Sequence, residues 1–442
     1  MSVPASPNDI IKQSPMSWYQ YAIIAVCVLT YAADGVDVVT LAYAAPVMMK
    51  EWGISAGAFG LAYSATPIGI ALGSIFISPL ADRIGRRTLM LWLLGLLVML
   101  LLLTAFTNSI LLLMLLRLIT GACLGALVVC LNVTVSEFSN AARSNFLIGL
   151  LHTGYSIGGM LCGALAALLI EPYGWRSIFL AAALLNAVSF LLAFAFFAES
   201  PAYLATGRPA NALARLNALF RRMNKPEFET LPPVPAARQR KQGGMAIIPR
   251  ELWFGTAMLC LAGFMFTVSG GFMAGWRPKI LEVAGLNMTW NGIAGVATSG
   301  AGVVAHLVVG ALARRVGERQ IAAIFLLATG ASMVVLGLVP DGAVWPLIAA
   351  STLSGFFNVG SYTALVLVTL NYYDVSVRNA GLGIMMGFSR VGGIVGPLLG
   401  GFAIGAGLER FWVLLIFGAI LVIPAATAIF ARARSETVPA HA

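Results

Sequence analysis

Charge is what this sequence lacks. Of its 442 residues, 27 are Lys or Arg and 17 are Asp or Glu, 10% of the chain, against about 25% in an average soluble domain. That is too little charge to cover a water-facing surface, which excludes a soluble enzyme, a nucleic-acid-binding protein and a disordered scaffold. Patterned cysteine is also missing. Cys27, Cys123, Cys130, Cys162 and Cys260 all fall inside apolar runs with no Cys-x-x-Cys or Cys/His spacing, so they read as buried thiols rather than disulfides or metal ligands. No Walker sequence occurs, and the polar residues within apolar runs contain no Ser–His or metal constellation. The reading is therefore of a protein that is not an enzyme and carries no nucleotide, metal or prosthetic group. The first 17 residues are polar, and the first apolar run is too long and lacks a cleavage site for a removable leader.

Hydrophobicity is abundant instead: 60% of residues are apolar and another 47 are Gly. A helical span takes about 20 residues. Apolar runs separated by polar breaks place spans near 19–46, 58–80, 88–106, 110–135, 145–170 and 176–197. A second set lies near 252–277, 291–312, 320–339, 344–370, 380–402 and 411–430. The expectation is an all-α polytopic membrane protein with twelve spans in two six-helix halves, 1–198 and 251–442, joined by a polar linker at 199–250. In the linker Leu213, Leu216, Phe220 and Met223 recur at helical spacing beside Arg215, Arg221 and Arg222, which predicts an amphipathic helix on a membrane surface. The Pro-rich stretch from Leu231 that follows reads as flexible connection.

Basic residues fix the orientation. With the amino terminus in the cytoplasm, 20 of the 27 Lys and Arg fall in cytoplasmic segments and four (Lys50, Arg176, Lys279, Arg410) in outer loops. The positive-inside rule thus puts both termini in the cytoplasm. The halves also repeat. Ser78-Pro-Leu-Ala-Asp-Arg-Ile-Gly-Arg-Arg87 aligns without gaps on Gly310-Ala-Leu-Ala-Arg-Arg-Val-Gly-Glu-Arg319, with five of ten positions identical at an offset of 232. Arg143 and Arg378 open spans 5 and 11 at nearly the same offset. Parallel six-helix repeats suit a secondary transporter driven by an ion gradient, with substrate bound at mid-membrane.

Asp34 and Asp37 are the acidic residues deep within a span. On insertion scales a carboxylate at a helix centre costs about 2.5–3.5 kcal/mol, so a chain that keeps two is expected to use them. Their i, i+3 spacing gives them one face, and two close carboxylates at low dielectric favour holding a proton between them. Arg117 lies about 10 Å into span 4 and Asp37 about 14 Å into span 1 from the same side, counting about 1.5 Å per residue. Arg117 is expected to pair with Asp37 or Asp34, with proton occupancy controlling the pair, and to engage an anionic substrate; a purely structural bridge is the alternative. Arg390 sits near the middle of span 11, and no acid in its half is deep enough to face it. A substrate carboxylate would satisfy it bidentately; the alternative is a gate pairing with Asp34 or Asp37. Tyr155, Tyr362 and Asn358, with Tyr31 and Phe357, are expected against an aromatic ring, or else as packing. His152 and His306 read as proton relays or hydrogen-bonded packing residues. Arg277 reads as an interfacial anchor reaching outward, where Pro278 and Lys279 end span 7.

These motifs resemble the major facilitator superfamily. Leu80-Ala-Asp-Arg-Ile-Gly-Arg-Arg87 is similar to its signature between spans 2 and 3, and Arg117-xxx-Gly121-xxx-Gly125 to its span 4 signature. Within the superfamily the chain resembles the aromatic acid:proton symporters through Asp34-Gly-Val-Asp37, Pro46, Trp52-Gly53, Ser136-Glu137, Gly174-Trp-Arg176, Glu199-Ser-Pro201 and Arg390-Val-Gly-Gly-Ile-Val-Gly-Pro397. It departs at Val36, Ser78 and Arg314. The resemblance implies proton-coupled import of a small organic anion of the benzoate or hydroxybenzoate type. Asp34 and Asp37 would couple the proton, and Arg117, Arg390, Tyr155, Tyr362 and Asn358 would bind substrate. Asp82, Arg83, Gly85, Arg86, Arg87, Glu137, Arg143 and Arg378 would gate, Asp82 latching to Arg378 and Glu137 to Arg143. A metabolite:proton antiporter and a non-transporting membrane sensor are the alternatives. The expected partners are the anion, protons and the lipid bilayer, with no nucleic acid, and the chain is read as a monomer of a bacterial inner membrane.

Overall fold

The computed structural model describes residues 6–231, 248–373 and 378–430, without the side chains of Asn145, Arg314 and residues 378–380. The described residues form helices and no strands, as expected of backbone in lipid, where each peptide group must find its partner within its own segment. Among the described residues, twelve helices are long and apolar enough to cross a membrane. Spans 1–6 are Trp18–Trp52, Ala56–Ile84, Arg86–Ala105, Ile110–Phe138, Phe146–Tyr173 and Arg176–Phe196. Spans 7–12 are Arg250–Val283, Met288–Ala313, Glu318–Leu338, Val344–Tyr372, Gly381–Gly405 and Arg410–Phe430. The chain is an integral, multi-pass membrane protein.

Local sequence explains the irregularities. Span 2 widens into a π-turn at Gly73–Ile77 and tightens over Ser78–Leu80. There Pro79 cannot donate a backbone bond, and a Cβ on Gly73 would lie 1.8 Å from the Ala122 carbonyl of span 4. Span 7 does not stop at Pro278 as expected: its helix continues to Val283. The Asn291 side chain donates to the Pro278 carbonyl at 2.6 Å and holds that turn.

Contacts divide the chain into two compact units. The first comprises Met1–Val38, Ile68–Gly158 and Phe179–Arg240; the second comprises Val39–Pro67, Gly159–Ile178 and Lys241–Ala442. The second unit takes in the carboxy-terminal ends of spans 1 and 5 and the amino-terminal half of span 2 together with the carboxy-terminal spans. Small residues make that clustering close. In the second unit a Cβ on Gly292 of span 8 would lie 2.4 Å from the Gly163 carbonyl of span 5, a backbone-to-backbone crossing that only Gly permits. Ser64 of span 2 donates to the Ile394 carbonyl of span 11 at 2.7 Å. Thr289 of span 8 donates to Glu171 of span 5 at 2.9 Å.

The linker helix also departs from expectation. It forms over Ala212–Arg222, but its apolar face does not meet a membrane. Leu216, Leu219, Phe220 and Met223 are buried in the core of the first unit with Ile11, Leu131, Val135 and Phe138. Lys225 Nζ donates to the Pro15 carbonyl at 3.2 Å and ties the helix to the amino-terminal segment. Burying apolar side chains against protein rather than lipid headgroups gives the same hydrophobic gain with fixed partners. The Pro-rich stretch after Leu231 lies outside the described residues.

Candidate functional site

In the first unit span 1 carries the two buried carboxylates. Asp34 is 2% exposed, Asp37 0% and Arg117 1%. Arg117 Nη1 donates to Asp37 Oδ1 at 2.8 Å. Its Nη2 reaches Thr104 Oγ1 at 3.4 Å, and its guanidinium lies 5.3 Å from the Phe179 ring centre. The pair is incomplete: Asp37 Oδ2 and Arg117 Nε are buried without partners. Both carboxylate oxygens of Asp34 are buried without hydrogen-bond partners. One helical turn away, Tyr31 meets the rings of His152 at 5.6 Å and Tyr155 at 5.7 Å. Spans 1 and 5 approach this closely because Gly35 and Gly158 face each other's backbones; a Cβ on Gly158 would lie 2.1 Å from the Ala32 carbonyl.

Asp37, Thr104 and Phe179 enclose the guanidinium, so a ligand would have to displace a buried ion pair, and breaking such a pair costs about 3–5 kcal/mol.

The charges around the segment between spans 2 and 3 form a network whose pairing differs from expectation. Arg86 bridges Glu137, lies 3.5 Å from Asp82, and donates to Ser200 Oγ at 2.9 Å. Ser200 in turn donates to Glu137 at 2.6 Å. Arg143, expected opposite Glu137, bonds the Tyr21 hydroxyl and is exposed. Arg87 donates from its Nε to the Phe197 carbonyl at 2.7 Å, and the Arg83 carbonyl accepts from Tyr203 at 3.2 Å. Gly85 adopts φ 95°, a conformation costly for any residue with a Cβ, and the Glu199 carboxylate fills the space beside it. Glu199 accepts from the backbone N–H groups of Arg87 at 3.2 Å and Ser200 at 3.1 Å, capping span 3. The side chain of Arg378, the expected latch partner of Asp82, lies outside the described residues.

The second unit holds the remaining expected substrate residues. Tyr362 of span 10 stacks on Phe266 of span 7 at 6.2 Å and 26°. Arg390 is half-buried and lies close enough to Tyr362 for its charge to bear on the phenol. It has no ion pair or hydrogen bond among the described residues. Asn358, one turn before Tyr362, rests over Gly270 with its Nδ2 buried and lacking an acceptor. Phe357 packs on Phe325 at 5.5 Å instead. His306 bonds Thr363 at 2.7 Å. Arg277 does not reach outward as an anchor: it is half-buried, with Nε buried and unpaired, in the electrostatic reach of Tyr43. No group of His, Cys, Asp and Glu among the described residues has metal-binding geometry.

Sequence reasoning missed Thr104 and Phe179 around Arg117, and the roles of Glu199 and Ser200. For the latter a signal existed: Ser before Pro is an N-cap followed by a first-turn proline, and Ser200 does cap the short helix Pro201–Gly207.

A sequence model described as Major Facilitator Superfamily matches residues 27–346 and 292–441. The gallate transporter of Pseudomonas putida is 32% identical over 450 residues, covering 100% of this chain and 98% of that protein. The 4-hydroxybenzoate transporter of Pseudomonas aeruginosa is 28% identical over 427 residues, covering 95% and 93%. Among solved structures, a bacterial homologue of the human lysosomal transporter Spinster, inward-facing and unoccupied, superposes with a TM-score of 0.72 at 16% identity, covering 94% of this chain and 97% of that one. The chain thus belongs to the Major Facilitator Superfamily, with the aromatic acid transporters among its relatives.

Proposed function

We propose that this protein is a proton-coupled symporter that imports small aromatic carboxylates of the benzoate, hydroxybenzoate or gallate type by alternating access. The observation that carries the coupling is Asp34, a buried carboxylate with neither oxygen partnered, on the same helix face as the Asp37–Arg117 pair. An ionised carboxylate there is desolvated without compensation, whereas a protonated one loses only the smaller hydration of a neutral polar group. A proton arriving with the substrate therefore relieves Asp34 or loosens Asp37 from Arg117. The Asp82–Arg86–Glu137–Ser200 network acts as a cytoplasmic latch. In the second unit Arg390 takes the substrate carboxylate, while Tyr362 and Asn358 meet its ring and hydroxyls. The names of the relatives support the substrate class. The charge asymmetry of the loops supports a bacterial inner membrane with both termini cytoplasmic, and the chain works as a monomer.

The test is uptake of labelled benzoate, 4-hydroxybenzoate and gallate into proteoliposomes under an inward proton gradient. Uptake of at least one acid that a protonophore abolishes is the expected result. Uptake indifferent to the gradient sinks the coupling. Substrate expulsion against an opposed proton flux establishes the antiporter instead.

A further inference from the structure

Span 7 carries a face that the transport reading leaves partly unused. Phe266, Gly270 and Arg277 are separated by four and seven residues, close to one and two turns of about 3.6 residues each, so they share one stripe. Phe266 meets Tyr362, and Gly270 lies under Asn358. Arg277 continues that stripe toward the end of the helix at Val283. Its neighbours Trp276 and Pro278 are buried, with the Trp276 indole donating to the Pro397 carbonyl at 2.8 Å. The helix is therefore locked, and Arg277 is held on the face it shares with the substrate residues.

Among the described residues, the group within electrostatic reach of Arg277 is a phenol, that of Tyr43, and not an acid. Tyr63 packs on Trp276 at 5.0 Å, and its hydroxyl is buried without a partner. Tyr43 puts its hydroxyl into the space beside Gly295, where a Cβ would lie 1.5 Å away. Arg277 forms no ion pair or hydrogen bond among the described residues.

Distance separates this group from Arg390. Thr267 donates to the Ser389 carbonyl, so Arg390 lies beside the level of Thr267. Arg277 lies ten residues further along span 7, about 15 Å at 1.5 Å per residue. One carboxylate cannot engage both. Each uncompensated arginine in a span costs about 2.5–3.5 kcal/mol on insertion scales, and an intramembrane cation retained without a counter-ion is a site for one.

We propose that Arg277 is a second anion-binding residue, an outer station that takes the substrate carboxylate before Arg390 takes it near mid-membrane. This rests on the transport reading above. Tyr43 donates a hydroxyl hydrogen bond to the same carboxylate or to a ring hydroxyl. The substrate is then handed along the stripe, past Asn358, to Tyr362 and Arg390.

The experiment measures the concentration dependence of labelled benzoate, 4-hydroxybenzoate and gallate uptake from outside by intact cells carrying wild type, Arg277→Gln or Arg277→Lys. Losing an interaction made on entry raises KM with little change in maximal rate. Arg277→Gln is expected to raise KM about tenfold, the effect of one charge-assisted bond, with maximal rate within about twofold. Arg277→Lys, which keeps charge but not the fork, is expected to fall between. Wild-type KM in both variants overturns the assignment while leaving the transport reading intact. Should Arg277→Gln fail to accumulate in the membrane, Arg277→Lys decides alone: a raised KM supports the station and an unchanged KM removes it. A wild type that takes up none of the three acids overturns the transport reading and the station together.

Discussion

Arg117 donates to Asp37 at 2.8 Å where neither side chain is more than 1% exposed. The two residues are 80 positions apart in sequence, and spans 1 and 4 are held together across that bond. Removing one partner strands a buried charge, at a cost of about 3–5 kcal/mol. Arg117→Gln is expected to lower the thermal midpoint in detergent and to abolish uptake. The double change Asp37→Leu with Arg117→Met should recover most of the midpoint without recovering uptake. A double variant no more stable than the singles would show that the pair is not the unit that matters.

Asp34 is expected to behave in the opposite way. Its carboxylate has no hydrogen bond to lose, so Asp34→Asn removes a desolvated charge and leaves the shape unchanged. Thermal midpoint is expected to hold or rise while gradient-driven accumulation falls at least about tenfold, which corresponds to 1.4 kcal/mol. Exchange of labelled for unlabelled substrate, which needs no net proton movement, should persist. Wild-type accumulation in this variant would take Asp34 out of the coupling.

Span 1 and span 5 touch through backbone. A Cβ on Gly158 would come 2.1 Å from the Ala32 carbonyl, so Gly158→Leu must push the two helices apart at the level of Asp34. Overpacking of this kind costs about 1–3 kcal/mol or more. The expected result is reduced membrane yield and a lower thermal midpoint, checked against Gly149→Leu, where a Cβ meets nothing within 4 Å. Equal yields from both would refute the close crossing.

Glu199 caps the start of span 3 and fills the space beside Gly85. Glu199→Ala is expected to cost about 0.5–2 kcal/mol, the range for a lost N-cap, read as a lower thermal midpoint. Arg86→Lys keeps the charge but cannot face Glu137 and Ser200 with one nitrogen and Asp82 with another. Its expected signature is a slower maximal uptake rate with KM unchanged, the mark of a latch rather than a ligand.

Composition and the order of apolar runs determined the twelve spans and their helical nature, because lipid leaves backbone one way to satisfy itself in a single chain segment, and the resemblance to the family rested on motifs such as Leu80–Arg87 and Arg117-xxx-Gly121-xxx-Gly125. The Asp34 and Asp37 carboxylates were legible for the same reason: an acid within a span costs too much to be accidental. Tertiary structure decided the partners. Asp37 rather than Asp34 holds Arg117, Glu137 pairs with Arg86 rather than Arg143, and the linker helix seats on protein rather than on membrane. Helical period says which face a residue occupies but not what meets it. Arg277, next to a proline near a span's end, read as an anchor; the helix runs on through Pro278 to Val283, and Arg277 stands half-buried in it without an ion pair among the described residues. Which buried charge is paired and which left alone depends on backbone approaches set by glycines in distant spans, and spacing along one chain does not encode those approaches.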